Sequence, residues 1–315
     1  MHIVIPYAAP VGAQCQAALA QLQLPVLAAL LELLQPTPPL LGNETSLTPL
    51  AERIQAKCMG LTGADGLVPW AALDAEHLGL RRVHGETGWA WITPCHWQVN
   101  ADHVALDDPR ELGLAAAESD ALREAMQAYF AEDGIQLHPL SNSTWLAQGP
   151  VLAELPTASL ERVRGGTVDA WMPSGAGAQT LRRLQNEMQM LLYTHPVNDA
   201  RVQRGLLPVN SFWISGTGPL EALPAAQPGS QAELIQTLAA PAQRDDPYAW
   251  SQAWATLDAT TLTDLLRRAK ANEPVQLTLC GERMATTFEL QSSPWWNRLQ
   301  RRFTTPPLAE FLQTL

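Results

Sequence analysis

Between Leu181 and Gly218 the chain reads LRRLQNEMQMLLYTHPVNDARVQRGLLPVNSFWISGTG. Leu181, Leu184, Met188, Leu191 and Leu192 recur at helical spacing, so this helix has one apolar face. Arg182, Arg183, Gln185, Asn186 and Gln189 line the other. His195-Pro196-Val197-Asn198 ends it, because proline cannot continue a helix and disfavours helical geometry at the residue before it. Val209 to Ile214 reads as a buried strand, and Ser215-Gly216-Thr217-Gly218 as the loop at its carboxyl end. Helix, polar turn, strand and glycine loop in this order point to an α/β fold, in which ligands gather at the carboxyl ends of strands.

The 315 residues suffice for one large α/β domain, or for a core with an inserted subdomain. With 46% hydrophobic and 16% charged residues the chain holds a sizeable core and is not disordered. The net charge is −11, and only Lys57 and Lys270 are lysines. That balance excludes a nucleic-acid or anionic-membrane surface, which needs clustered Lys and Arg. The amino-terminal MHIVIPYAAP has no basic region ahead of an apolar run, so no signal peptide is read there. Gln21, Gln23, Pro25 and Glu32 interrupt the apolar stretch 17–34, which is therefore not a membrane span. Cys15, Cys58, Cys95 and Cys280 form no C-x-x-C pair and read as reduced thiols. A cytoplasmic location is expected, and the N-x-S/T matches at Asn43 and Asn142 carry no weight.

Along the chain the pattern predicts a strand at His2–Tyr7, an Ala/Leu/Gln helix broken at Pro25, and a loop at Gln35–Leu40. A helix at Leu47–Met59 and a loop with a short helix over Asp65–Leu80 follow. Strands are predicted at Trp89–Val99 and His103–Leu106, then a helix capped by Ser119 and ending at Phe130. Ile135–Leu140 and Thr144–Ala147 read as a hairpin, and Leu220–Gly229 as a linker. Helices are expected at Gln231–Leu238, Tyr248–Thr256 and Thr260–Ala271, strands at Val275–Cys280 and Ala285–Leu290, and a closing helix at Trp295–Phe303. This order favours a largely parallel sheet flanked by helices, formed by 1–84 and 171–315, with 85–170 as a strand-rich inserted subdomain or as part of one single domain.

Asn186-Glu187, the H-P-x-N-x-x-R run from His195 to Arg201, the G-x-x-P-x-N run from Gly205 to Asn210, and Gly216-x-Gly218 together carry a resemblance. They are similar to a segment of the archaeal-type cofactor-independent phosphoglycerate mutases of the alkaline phosphatase superfamily. Leu24–Leu31 resembles the helix after that superfamily's first strand, and Val275–Thr286 its late strand ending in T-x-D-H-x-T. TPCHW at Thr93–Trp97, with RRLQNEMQMLLYTHPVN and VNSFWISGTG, resembles RpfE-type proteobacterial regulatory proteins over nearly the whole chain. The resemblance implies an alkaline-phosphatase-like core. Val209–Ile214 and Val275–Cys280 would then be strands of one sheet, bringing Ser215 and Arg283 to one edge.

Those mutases use two divalent metals to activate a serine, a task for roughly five or six carboxylate and histidine ligands. The first ligand position, after the first strand, falls here on Pro6-Tyr7-Ala8-Ala9-Pro10, which holds no carboxylate. The late Asp-His pair falls on Glu282-Arg283, and arginine never loses its proton to bind a metal. The substrate-binding arginine falls on Ser215, and no histidine follows His195. No metal, cofactor or catalytic residue is therefore expected.

Candidate ligand-binding residues are Asn198, Arg201, Asn210, Ser215, Gly216, Gly218, Glu282 and Arg283, with Arg283 offering fixed positive charge to a phosphate or carboxylate. A structural reading competes for the first of them: Asn198 caps or bridges a turn, and Arg201 pairs with Asp199 or Glu187. Cys95-His96, with His84 and His103 nearby, fits no standard zinc spacing, and strand alternation sends the pair to opposite faces. Of the eleven tryptophans, Trp89, Trp91 and Trp97 share a strand face by parity; they are core, or they mark a partner surface. Three readings result. The first is a non-catalytic, metal-free mutase relative that binds a small anionic ligand or a protein partner as a regulatory protein. The second is an active mutase or other phosphotransfer enzyme, and the third a protein-interaction module using a tryptophan-rich surface.

Overall fold

A computed structural model describes residues 1–10, 12–81, 87–175, 177–220, 223, 232–290 and 307–315. The expected Trp295–Phe303 helix lies outside the described residues, as does most of the expected linker. The chain forms two units, residues 1–45, 49–60 and 226–315 in one, residues 46–48 and 61–225 in the other. No described helix is long and apolar enough to cross a membrane.

In the first unit β1 (His2–Ile5) is central and buried at every position. It pairs in parallel with β10 (Ala232–Leu234) on one side and β11 (Gln276–Cys280) on the other. A hairpin turns β11 into the antiparallel β12 (Met284–Glu289), which pairs with β2 (Gln35–Pro36) and β3 (Leu40–Leu41). The sheet is therefore mixed rather than largely parallel: a tight hairpin can return a strand only antiparallel. Helices Ala13–Leu19, Pro25–Leu33, Pro247–Ala259 and Thr261–Lys270 cover one face through Leu19, Leu27, Leu30, Trp250, Trp254 and Leu265. Helix Leu50–Cys58 covers the other, packing Leu50, Ala51 and Ile54 on Val4, Cys280 and Ala285. The helix expected at Gln231–Leu238 is instead β10 and a 3-10 turn at Gln236–Leu238, since pairing with β1 overrides local propensity.

The second unit contains the antiparallel sheet β7-β8-β4-β9: β7 (Gln136–Ser141), β8 (Thr144–Gln148), β4 (Trp89–Cys95) and β9 (Ser211–Ser215). Helices Ala116–Glu132 and Ala178–Tyr193 bury Leu122, Met126, Phe130, Leu181, Leu184 and Met188 against Phe212 and Ile214. On the opposite face Trp213 packs with Cys95, Trp97, Leu106 and Val163, beside a ribbon of β5 (Trp97–Val99) and β6 (Val104–Leu106). Ser119 does not cap its helix. It sits inside it, accepting a 2.8 Å hydrogen bond from Trp145 Nε1, while Glu118 Oε2 accepts from the Ala115 N–H at the helix start.

The strands of 85–170 share their sheet with a later one, since β4 pairs with β8 on one side and with β9 on the other. One expectation changes: β9 and β11 belong to different sheets in different units, so the two stretches expected in one sheet are not in one. The expectation that Ser215 and Arg283 share an edge rested on that single sheet and falls with it.

Candidate functional site

The polar residues of the 181–218 segment are spent on holding the chain together. His195 does end the helix Ala178–Tyr193, but Pro196 opens a new one, Pro196–Gln203, with His195 as its amino-terminal cap. Proline suits a first helical position, where its missing N–H has no partner to lose. Asn198, 5% exposed, donates from Nδ2 to the carbonyls of Leu192 (2.8 Å) and Val209 (2.6 Å) and accepts from the Val209 N–H (2.8 Å). Its amide thus fastens the end of one helix to the entry of β9. Asn210 ties the entry of β9 to the start of β5: Oδ1 accepts from the Trp97 N–H at 2.7 Å and Nδ2 donates to the Trp97 carbonyl at 2.9 Å.

Arg201 is fully buried. It pairs with neither Asp199 nor Glu187. Its guanidinium donates to the Leu207 carbonyl (2.8 Å), the Leu112 carbonyl (2.6 Å) and Glu118 Oε2 (2.7 Å). Arg204 reaches the other Glu118 oxygen. Burial pushes the Glu118 carboxyl up, but the Ala115 N–H and the two guanidiniums outweigh it and hold it below its ordinary value. Glu187 is engaged with Arg183 instead.

At the other end of β9 the glycine loop is closed on itself. Thr217, fully buried, contacts the carbonyls of Leu155 (2.6 Å) and Gly66 (3.1 Å) and the Thr157 hydroxyl (2.9 Å). Gly216 has φ +69, and a Cβ there would lie 2.8 Å from the Trp91 ring. Gly218 has φ +141, and a Cβ there would lie 2.2 Å from the Leu67 carbonyl oxygen. These glycines allow close packing of backbone. The Trp91 indole N–H donates to Asp74 Oδ2, and Asp74 is raised above its ordinary value by burial. Ser215 is buried at 4% exposure.

Glu282 and Arg283 lie in the β11–β12 hairpin of the first unit. Arg283 is 76% exposed and bridges to Glu44 at 3.0 Å. The eight candidates are divided between the units: Asn198, Arg201 and Asn210 precede β9, Ser215 ends it, Gly216 and Gly218 follow it, and Glu282 and Arg283 belong to the other unit.

Sequence reasoning missed two carboxylates. Asp245 accepts the Gln14 N–H (3.1 Å) and the Cys15 N–H (2.9 Å), bonds that lower it below the ordinary carboxylate value. Asp258 accepts the Val26 N–H (3.1 Å) and the Leu27 N–H (2.8 Å). The two helices that follow β1 thus have the chain's own carboxylates at their amino ends, where an anion would otherwise be attracted. Partners some 230 residues apart leave no local signal for either.

The donor set does not suit a two-metal site. Tyr7 stands after β1 at φ 57, its carbonyl taking the Trp250 indole N–H and its hydroxyl the Gln243 side-chain N–H. The hairpin after β11 offers Glu282 and the cation Arg283. Among the described residues no group of three or more His, Cys, Asp or Glu side chains is arranged to hold a metal ion. Cys95 is fully buried, its thiol pushed far up by burial, while His96 Nδ1 donates to the Pro208 carbonyl on the other side. Among the described residues the nine tryptophans are all buried or half-buried. Their large apolar area is what fills both cores.

No family model matches the chain. It is 25% identical over 122 residues to the 2,3-bisphosphoglycerate-independent phosphoglycerate mutase of Methanosarcina mazei, covering 38% of this chain and 31% of that protein. It is 28% identical over 109 residues to a probable enzyme of that name from Geobacter sulfurreducens, covering 33% and 27%. To the Methanosarcina barkeri mutase it is 24% identical over 165 residues, covering 51% and 40%. The chain therefore spans well under half the length of these curated relatives and is weakly homologous to cofactor-independent phosphoglycerate mutases. Among solved structures, the Thermoplasma acidophilum cofactor-independent phosphoglycerate mutase aligns at TM-score 0.37 and 15% identity, over 93% of this chain and 90% of that one. A Pyrococcus horikoshii protein aligns at 0.40 and 12%, over 91% and 86%.

Proposed function

We propose that this chain is a non-catalytic, metal-independent relative of the cofactor-independent phosphoglycerate mutases, of the RpfE-type regulatory kind, working in the cytoplasm as a binding or regulatory protein. One observation carries the reading: Asn198, Arg201 and Asn210, which the segment 181–218 has in common with the mutases, are occupied by the fold itself. Asn198, Arg201 and Asn210 spend their side chains on backbone carbonyls, backbone N–H groups and Glu118, leaving little with which to hold a substrate. The loops after β1 and β11 support it too, offering Tyr7 and Arg283 where two metals need carboxylates and histidines. Four free cysteines accord with a reducing compartment.

The test is interconversion of 3- and 2-phosphoglycerate at high protein concentration with Mn²⁺, Co²⁺ or Mg²⁺ present. No turnover above background is expected. A turnover that survives repurification and is lost on Arg283→Ala or Asn198→Ala in folded protein would overturn the reading and make the chain an active mutase.

A further inference from the structure

The first unit holds a nucleophile set against a base, apart from the eight candidate ligand-binding residues. Cys58 ends the helix Leu50–Cys58, and its Sγ lies 3.4 Å from Nδ1 of His2 at the start of β1. The other ring nitrogen, Nε2, lies 2.7 Å from the Thr278 hydroxyl on β11. That hydroxyl is in turn 2.7 Å from the Thr287 hydroxyl, its direct partner on β12. The imidazole is 7% exposed and the thiol half-buried, whereas Cys15, Cys95 and Cys280 are buried at 0%, 0% and 2% exposure.

A neutral ring has one donor and one acceptor, and a base for the thiol needs the tautomer with its proton on Nε2. The Cys58 thiol donates to Nδ1, Nε2–H donates to Thr278, and Thr278 donates on to Thr287. Burial raises the thiol and lowers the imidazole, favouring this uncharged pair over thiolate and imidazolium. Two charged groups also act on it: Lys57 favours the thiolate, and the Met1 amino group lowers His2 further. A helix carboxyl end disfavours a thiolate. Attack by this sulfur therefore depends on a base that takes the proton as the new bond forms, and on a third group that orients the base.

We infer that Cys58, with His2 as its base and Thr278 as the positioning residue, is a nucleophilic site for small disulfides. The sulfur attacks one sulfur of R–S–S–R as its proton passes to His2 Nδ1. The S–S bond breaks, and the departing thiolate takes that proton to leave as R–SH. The balance is Cys–SH + RSSR giving Cys–S–S–R + RSH, with no further oxidant. Exchange needs access to the sulfur and a proton acceptor, both present here, and no oxyanion donors.

The probe is dithiobis(nitrobenzoate) on the full chain, read by nitrothiobenzoate release. One rapid equivalent is expected from native protein and none in Cys58→Ser. Release should slow by about tenfold or more in His2→Gln, as loss of a general base does, and by a few-fold in Thr278→Val. If His2→Gln does not fold, the wild-type pH–rate profile decides. Base assistance levels the profile above the His2 titration and cuts it off below, whereas an unassisted thiol rises steadily with pH through the neutral range. No release from native protein, release that persists in Cys58→Ser, a wild-type rate in folded His2→Gln, or a steadily rising profile would each overturn the proposal.

Discussion

Arg201 and Glu118 meet at 2.7 Å across 83 residues of sequence, the guanidinium fully buried and the carboxylate 13% exposed. The arginine ties the helix Pro196–Gln203 to the start of the helix Ala116–Glu132, so a residue that resembles a ligand contact by sequence is a strut in the fold.

Removing Arg201 takes a donor from Glu118 and from the Leu112 and Leu207 carbonyls. Arg201→Met is expected to destabilise the protein by about 3–5 kcal/mol. Denaturant unfolding followed by tryptophan fluorescence measures it. A loss below about 1 kcal/mol would mean that the pair contributes no more than a surface bridge.

The pH dependence has an upper stage set by two histidines and a lower one shared by lowered carboxylates, Glu118 and Asp245 among them. His2 and His195 are lowered by burial from 6.5, so the unfolded chain takes up these protons first and stability begins to fall as the pH drops below 6.5. Glu118 is lowered from 4.5, so its contribution is complete above 4.5 and is lost as the pH falls through its folded value. A two-stage acid loss is expected in a series of melts. Glu118→Gln should remove part of the lower stage and leave the upper one intact; an unchanged lower stage would remove Glu118 from the explanation.

Gly218 and Gly134 separate crowding from conformation. Both have positive φ, +141 and +68, but a Cβ at Gly134 meets nothing within 4 Å while one at Gly218 meets the Leu67 oxygen at 2.2 Å. Gly134→Ala should cost about 1 kcal/mol and Gly218→Ala about 3 kcal/mol or more. Equal costs in thermal melts would show that the loop after β9 has room to shift.

Mn²⁺ should leave the melting temperature unchanged within about 1 °C, because a cation with no site on the folded chain cannot stabilise it. A bound metal at 100 times its Kd would add about 2.7 kcal/mol. A rise of several degrees, reversed by chelation, would reinstate a metal centre.

Much of the local structure was legible in the sequence. The 3.6-residue stripe from Leu181 to Leu192 became the buried face of the helix Ala178–Tyr193, and the 135–147 alternation became the β7–β8 hairpin. Pro25 opened a second helix as read, and Asn198 bridges a turn, since short-range signals are written in neighbouring residues. Failures came where a distant segment supplied the partner. Gln231–Leu238 reads as a helix until β1 pairs with Ala232–Leu234, and Ser119 reads as a cap until Trp145 takes its hydroxyl.

Periodicity, proline and glycine thus determined most of the stretches that are helix or strand. Only the tertiary structure decided that β9 and β11 lie in separate sheets, that Arg201 belongs to Glu118, and that His2 sits against Cys58. Each of those is a contact between residues far apart in the chain. No local pattern encodes such a pairing, because its energy arises only when packing removes both partners from water.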